Sequence, residues 1–164
     1  ADPATFRPER LPSAAVTLPI GPGAYGHYSN TQLANVFDLG EYERRMAAGD
    51  SPLWRGRRLS ADEAFHRDVM FAFKNDPYID CGLFRSAYNR SPLDHFADLF
   101  ARLVALELVT VSGECIRLTA QGRLCVEEIA CLFRHPVIGP AGDGAADRNL
   151  LEKHNFAPAY PALT

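Results

Sequence analysis

Three glycines fall within six residues of "LPIGPGAYGHYSN", Leu18 to Asn30, directly after the apolar run "AAVTLPI". Glycine carries no Cβ, so a glycine-rich turn behind a strand lets the main chain close on a phosphate, a nucleotide or another anion. The same residues also make an ordinary strand-ending turn. A second group with chemical potential is basic: Arg55, Arg57 and Arg58 in "LWRGRR". These arginines could meet substrate carboxylates or a partner's acidic surface, or stand as a solvated face. The four cysteines, Cys81, Cys115, Cys125 and Cys131, match neither a CxxC pair nor a recurring metal-ligand spacing. They read as reduced thiols behaving as small apolar residues, with Cys125 and Cys131 in the core. The five histidines are scattered without an HExxH, so no metal site is expected. His66 reads as a surface or boundary residue and Trp54 as an interdomain packing anchor. No residue is assigned a catalytic role.

The elements that must position these residues follow from periodicity and capping. Residues 1–17 are an irregular lead-in rich in Pro, Ala and Arg. "AAVTLPI" reads as a short strand ended by "GPGAYG". Residues 35–48 read as a helix closed by Gly49, and "GDSPLWRGRRLS" as a linker. Ser60 and Glu63 fit a capping box, and Phe65, Val69, Ala72 and Phe73 follow at helical spacing, so a helix over 61–75 buries one face. Pro77 disfavours helical geometry at Asp76. A short helix follows over "CGLFRSAY", and Ser91-Pro92 supplies a cap and a first-turn proline. Leu93, Phe96, Phe100, Leu103 and Val104 form an amphipathic face. "ELVTVSGECIRLT" reads as two strands around Ser112-Gly113-Glu114. Thr119 caps a last helix with Leu124, Ile129, Leu132 and Phe133 as core residues. The glycine- and alanine-rich stretch 136–164 reads as a flexible tail.

The fold expected is therefore α+β and mainly helical. Helix, short helix, helix, β-hairpin and helix make a winged-helix-like module over 59–135, preceded at 18–58 by a strand end and linker. Composition adds boundaries. With 164 residues, 47% hydrophobic and 23% charged, the chain can bury a core without metal or disulfide staples. No apolar run reaches the ~18–20 residues of a bilayer span and no secretory signal is visible, so a cytoplasmic protein is expected. A net charge of −3 disfavours nucleic acid. The helix that would enter a major groove carries Asp94, Asp98 and Glu107 as well as His95 and Arg102, which repels phosphate where affinity is needed.

The run "SPLWRGRRLSADEAFHRDVMFAFKNDPYID", continued by "FADLFARLVALELVTVSGECIRLTAQGRLCVEEIACLF", resembles the C-terminal region of the oxygen-independent coproporphyrinogen III oxidase family of radical S-adenosylmethionine enzymes. The "GPGA" segment ahead of it fits the same pattern, so the resemblance spans about Leu18 to Phe133. It implies a partial barrel, of which a strand remnant would stand at the start of this chain, holding a [4Fe-4S] cluster and S-adenosylmethionine. It also implies oxidative decarboxylation of propionates to vinyl groups in porphyrin biosynthesis. By the resemblance, Gly21, Gly23, Ala24 and Tyr25 lie against S-adenosylmethionine. The C-x3-C-x2-C cysteines that would hold the cluster are absent from the sequence. The chain by itself is thus expected to carry neither cofactor nor catalysis, and its partner would be the missing N-terminal barrel domain. Two other readings stand beside this one: a haem- or porphyrin-binding protein of the same family, and a winged-helix interaction or DNA-binding module.

Overall fold

In the computed structural model, residues 11–76 and 78–135 are described. The expected tail, 136–164, and the first ten residues of the lead-in lie outside them. The segment expected as a barrel-strand remnant does not form a strand. A single turn of 3-10 helix, Pro12–Ala14, stands at its start, and among the described residues it pairs through one bridge, Thr17 to His27.

The strands of this first half come next. β1 (Tyr25–Tyr28) and β2 (Thr31–Asn35) form an antiparallel hairpin around Ser29 and Asn30, both at positive φ (45° and 62°). A two-residue turn of that hand matches the right-handed twist of the flanking strands. β3 (Leu53–Arg58) pairs antiparallel with β2, giving the order β1-β2-β3. The expected linker is therefore a strand. Its residues are nearly all exposed, so it lacks the apolar alternation by which a half-buried strand is recognised. Between β2 and β3 lies α1 (Leu39–Ala48), capped by Asp38 and closed by Gly49 at φ 74°. It begins four residues later than expected, because Asn35 belongs to the ladder.

The second half follows the sequence closely. α2 (Ala61–Asn75) begins with both reciprocal bonds of the Ser60–Glu63 capping box. Beyond Asp76, which is extended, a strand unforeseen from the sequence, β4 (Tyr78–Asp80), leads into α3 (Cys81–Tyr88). Ser91 caps α4 (Pro92–His95), and a non-helical Phe96 separates it from α5 (Ala97–Ala105). β5 (Val109–Ser112) and β6 (Cys115–Leu118) form the expected hairpin, and β4 joins its far edge in the order β4-β6-β5. Thr119 caps α6 (Ala120–Leu124), and a kink at Cys125 separates that turn from α7 (Val126–Cys131). The architecture is a mixed one of helices with two small antiparallel sheets.

The core gathers on α2. Phe65, Val69, Ala72 and Phe73 are buried with Ile79, Phe84, Phe100, Leu103, Val109, Ile116, Ile129 and Phe133. Each fully buried large side chain of this kind contributes about 1.5–3 kcal/mol of transfer free energy. Phe65 packs edge-on against Phe84, Tyr88 and His95 and parallel to Phe96, at ring separations of 5.2 to 5.9 Å. Leu124, Leu132 and Val104, expected in the core, are exposed, Leu124 at 87%. The kink at Cys125 turns Leu124 away, and Cys131 is exposed as well.

The opposite face of α2 is covered too, which periodicity alone does not reveal. Glu63, His66, Arg67 and Asp68 are all buried. Asp68 accepts hydrogen bonds from Ser13 (2.5 Å), Tyr88 (2.8 Å) and Arg67 (3.2 Å). Burial pushes its carboxyl above the usual range, and these three donors oppose the shift. The bond to Ser13 ties the lead-in to the middle of α2.

Candidate functional site

The glycine loop lies between the Thr17 bridge and β1, and its donors are occupied from within. Gly21 N–H donates to Tyr42 Oη at 3.1 Å, Gly23 N–H to the Val36 carbonyl at 2.8 Å, and Ala24 N–H to the Gly21 carbonyl at 3.4 Å. Pro22 has no N–H. An anion cradle needs such groups turned outward, and here they close the loop on itself.

Asn35 on β2 locks the arrangement. Its side chain is fully buried and donates from Nδ2 to the carbonyls of Pro19 (3.0 Å) and Gly21 (2.9 Å). The two glycines have different reasons to be glycine. Gly23, at φ 67°, would place a Cβ 3.0 Å from the Phe37 ring, so packing and backbone both require it. Gly21, at φ 102°, would place a Cβ in open space. Only the conformation constrains Gly21, and its Cα face is the open side of the loop.

An aromatic row begins at Phe37, beside Gly23. Tyr25 is 69% exposed and meets Phe37 edge-on at 6.1 Å, and Phe37 meets Trp54 edge-on at 5.9 Å. The Arg55 guanidinium lies 5.9 Å from the Trp54 ring centre. Of the four loop residues, Gly23 and Tyr25 are thus joined through Phe37 to Trp54 and Arg55, while Gly21 and Ala24 are not.

Arg57 departs from this group, pairing with Glu63 of the capping box and so anchoring β3 to α2. The Ser60 N–H bound to Glu63, with Arg57 beside it, holds the Glu63 carboxyl below the usual carboxylate range. Arg58 is exposed, one residue on along β3, where side chains alternate between faces. The three arginines therefore do not converge on one point.

The donor set for an iron–sulfur cluster does not fit. Cys81 is buried, Cys115 and Cys125 half-buried and Cys131 exposed, and all four are free thiols. Among the described residues no metal-competent group includes a cysteine. His66 is the residue most misjudged from the sequence. It is 7% exposed, its Nδ1 donates to the Phe133 carbonyl at 2.9 Å, and it stands beside Asp62 and His95. The i,i+4 spacing of Asp62 and His66 was legible on α2; the arrival of His95 from another helix was not. No helix among the described residues is long and apolar enough to cross a membrane.

No protein-family model matches the chain. Among curated proteins it is 28% identical over 119 residues to oxygen-independent coproporphyrinogen III oxidase of Escherichia coli, covering 71% of this chain and 26% of that protein. The Salmonella typhimurium protein of the same name is 27% identical over the same length. A solved structure of the Escherichia coli coproporphyrinogen III oxidase, described as a radical SAM enzyme, superposes with a TM-score of 0.58 at 27% identity. It covers 73% of this chain and 28% of that one. The chain thus spans about a quarter of the length of the relatives it matches. In sequence and in fold, it resembles one part of the oxygen-independent coproporphyrinogen III oxidases.

Proposed function

We propose that this chain is an accessory module of an oxygen-independent coproporphyrinogen III oxidase-like radical S-adenosylmethionine enzyme. In that reading it docks on the cluster-bearing domain and helps close the active site in which propionates become vinyl groups. The observation that carries the reading is the similarity over 71% of this chain to only 26% of a radical enzyme. The absence of a cysteine set able to hold the cluster fits a module whose chemistry is supplied by the rest of the protein.

An apolar edge supports the mode of docking. Val16, Leu18 and Ile20 are 61%, 69% and 84% exposed, and they alternate along the segment before the loop. Alternate residues of an extended segment share a face, and apolar side chains so exposed are characteristic of an interaction surface. Tyr25 is exposed as well. S-adenosylmethionine would approach the open side of Gly21, with Tyr25 beside it. With the N–H groups of Gly21, Gly23 and Ala24 committed, the contacts left in place of an amide cradle are the open Cα face of Gly21 and the Tyr25 ring. Arg55 stands nearest this edge and is the arginine we assign to substrate carboxylates.

The test is a chimera in which the matching quarter of the Escherichia coli enzyme is replaced by this chain. Anaerobic conversion of coproporphyrinogen III is then measured, with and without Leu18→Asp and Ile20→Asp. Conversion by the chimera, lost in the charged variant, is the expected outcome. A folded, cluster-loaded chimera that neither converts substrate nor cleaves S-adenosylmethionine would sink the reading.

A further inference from the structure

We propose that Asp62, His66 and His95 form a binding site for a divalent transition-metal ion of the zinc class, independent of any radical chemistry. One ligand atom from each lies within 4.8 Å of the other two. Asp62 and His66 stand one turn apart on α2, where i and i+4 side chains share a face. His95 comes from the end of α4.

The surrounding groups orient this set as metal ligands are oriented. A carbonyl oxygen can only accept, so the 2.9 Å contact of His66 Nδ1 with the Phe133 carbonyl makes Nδ1 the protonated nitrogen. In the neutral ring Nε2 then carries the lone pair, and Nε2 is the atom 3.9 Å from Asp62 Oδ2. Donation of the second ring N–H to a carbonyl is the usual partner arrangement of a metal-bound histidine. Arg90 binds the other carboxylate oxygen, Oδ1, at 2.6 Å and is itself held 3.8 Å over the Phe65 ring. It fixes the carboxylate with Oδ2 toward His66. The Arg90 charge opposes a cation, which moderates affinity.

Geometry and access agree with this assignment. A tetrahedral ion with bonds of ~2.0–2.1 Å needs donors about 3.3 Å apart. The His66 Nε2–Asp62 Oδ2 separation of 3.9 Å and the set's upper limit of 4.8 Å must therefore close by about 0.6 to 1.5 Å, through rotation of the exposed His95 ring and the partly exposed Asp62 carboxylate. His95 and His66 are perpendicular at 5.4 Å, and Phe65 and Phe96 wall the inner side. Of the three ligands, Asp62 borders an open groove that it shares with Ser86, Tyr88 and Arg90, and His95 is exposed. Two imidazoles and one carboxylate favour zinc, copper, nickel or cobalt over magnesium and calcium. Three protein ligands leave a fourth position to water.

The test is titration of the 164-residue chain with Co2+, read by visible absorption, and with Zn2+, read by calorimetry and thermal unfolding. We expect one equivalent of ion, tetrahedral Co2+ bands and a Zn2+-dependent rise in Tm. His95→Ala, a change at an exposed side chain whose folding is checked by circular dichroism, removes the bands. His66→Asn keeps a donor for the Phe133 carbonyl while removing Nε2, and removes them as well. Absent bands and an unchanged Tm at 100-fold excess of ion would overturn the proposal. So would bands that survive His95→Ala, or a thiolate charge-transfer band placing the ion on the exposed Cys131.

Discussion

Gly122 sits at the third position of α6, where helix propensity and tertiary packing make opposite predictions for a single methyl group. On propensity, Gly122→Ala stabilises the helix by about 1 kcal/mol. In the structure, a Cβ on Gly122 would lie 1.9 Å from the Leu108 carbonyl oxygen and 3.3 Å from Leu118 Cδ2. Real Cβ atoms stay at least 3.0 Å from other atoms, so the helix and the chain entering β5 must part by more than 1 Å. The Leu108 carbonyl cannot yield cheaply, because it accepts from Thr119 N–H (3.0 Å) and Thr119 Oγ1 (3.3 Å). Those bonds seat the α6 cap against the hairpin. Overpacking against a fixed wall costs about 1–3 kcal/mol, and losing the cap adds about 1. After subtracting the propensity gain, the net is a destabilisation of about 1–3 kcal/mol. For a folded unit of this size that is a fall in Tm of roughly 3–15 °C. Gly40→Ala on α1 is the matched control: its Cβ would meet only Asp38 Oδ1, at 3.4 Å. It should raise stability by about 0.5–1 kcal/mol. Urea and thermal unfolding of both variants, followed by far-UV circular dichroism, give the comparison. If Gly122→Ala is as stable as Gly40→Ala, the close seating of α6 on Leu108 is refuted.

Three further outcomes follow from the same geometry. The Glu63 carboxyl is held below its ordinary value, so its contribution is complete above pH 4.5 and disappears as pH falls through the folded-state value; Glu63→Gln should cost about 1–2 kcal/mol at pH 7 and progressively less as pH falls below 4.5, measured by urea titration across that range. His27 is 1% exposed, and burial, with the Arg67 charge adding to it, pushes its imidazole below 6.5. The unfolded chain therefore takes up the proton first, stability falls as pH drops below 6.5, and His27→Leu should flatten the wild-type slope between pH 6.5 and 5 in the same assay. Glu107 lies beyond α5 at φ 56°, is exposed, and closes that helix in the left-handed conformation. Glu107→Gly should raise stability by about 0.5–1 kcal/mol in thermal unfolding, and a loss would show that the Glu107 side chain contributes more than its backbone strain.

Local chemistry made much of the second half readable. The Ser60–Glu63 box, the Ser91-Pro92 start, the Thr119 cap and the turn at Gly113 each act within four residues, so their geometry is written in neighbouring side chains. The buried face of α2 was equally legible, because Phe65, Val69 and Phe73 repeat at the period of a helix buried on one side. The lack of a C-x3-C-x2-C run was equally plain, since residue spacing is a covalent fact.

Tertiary structure decided what depends on distant partners. β3 is a strand because β2 lies beside it, while its own exposed arginines carry no alternation. Asp68, Arg67 and His66 are buried because Ser13, Tyr88 and Phe133 arrive from 55, 20 and 67 residues away. Polar residues on a helix read as solvated until something is known to cover them. The glycine loop shows the same division. Its composition announced a backbone free to take unusual angles, and Gly21 and Gly23 do so. Whether the freed N–H groups face a ligand or the protein depended on Tyr42 and Val36, and these turned the donors inward.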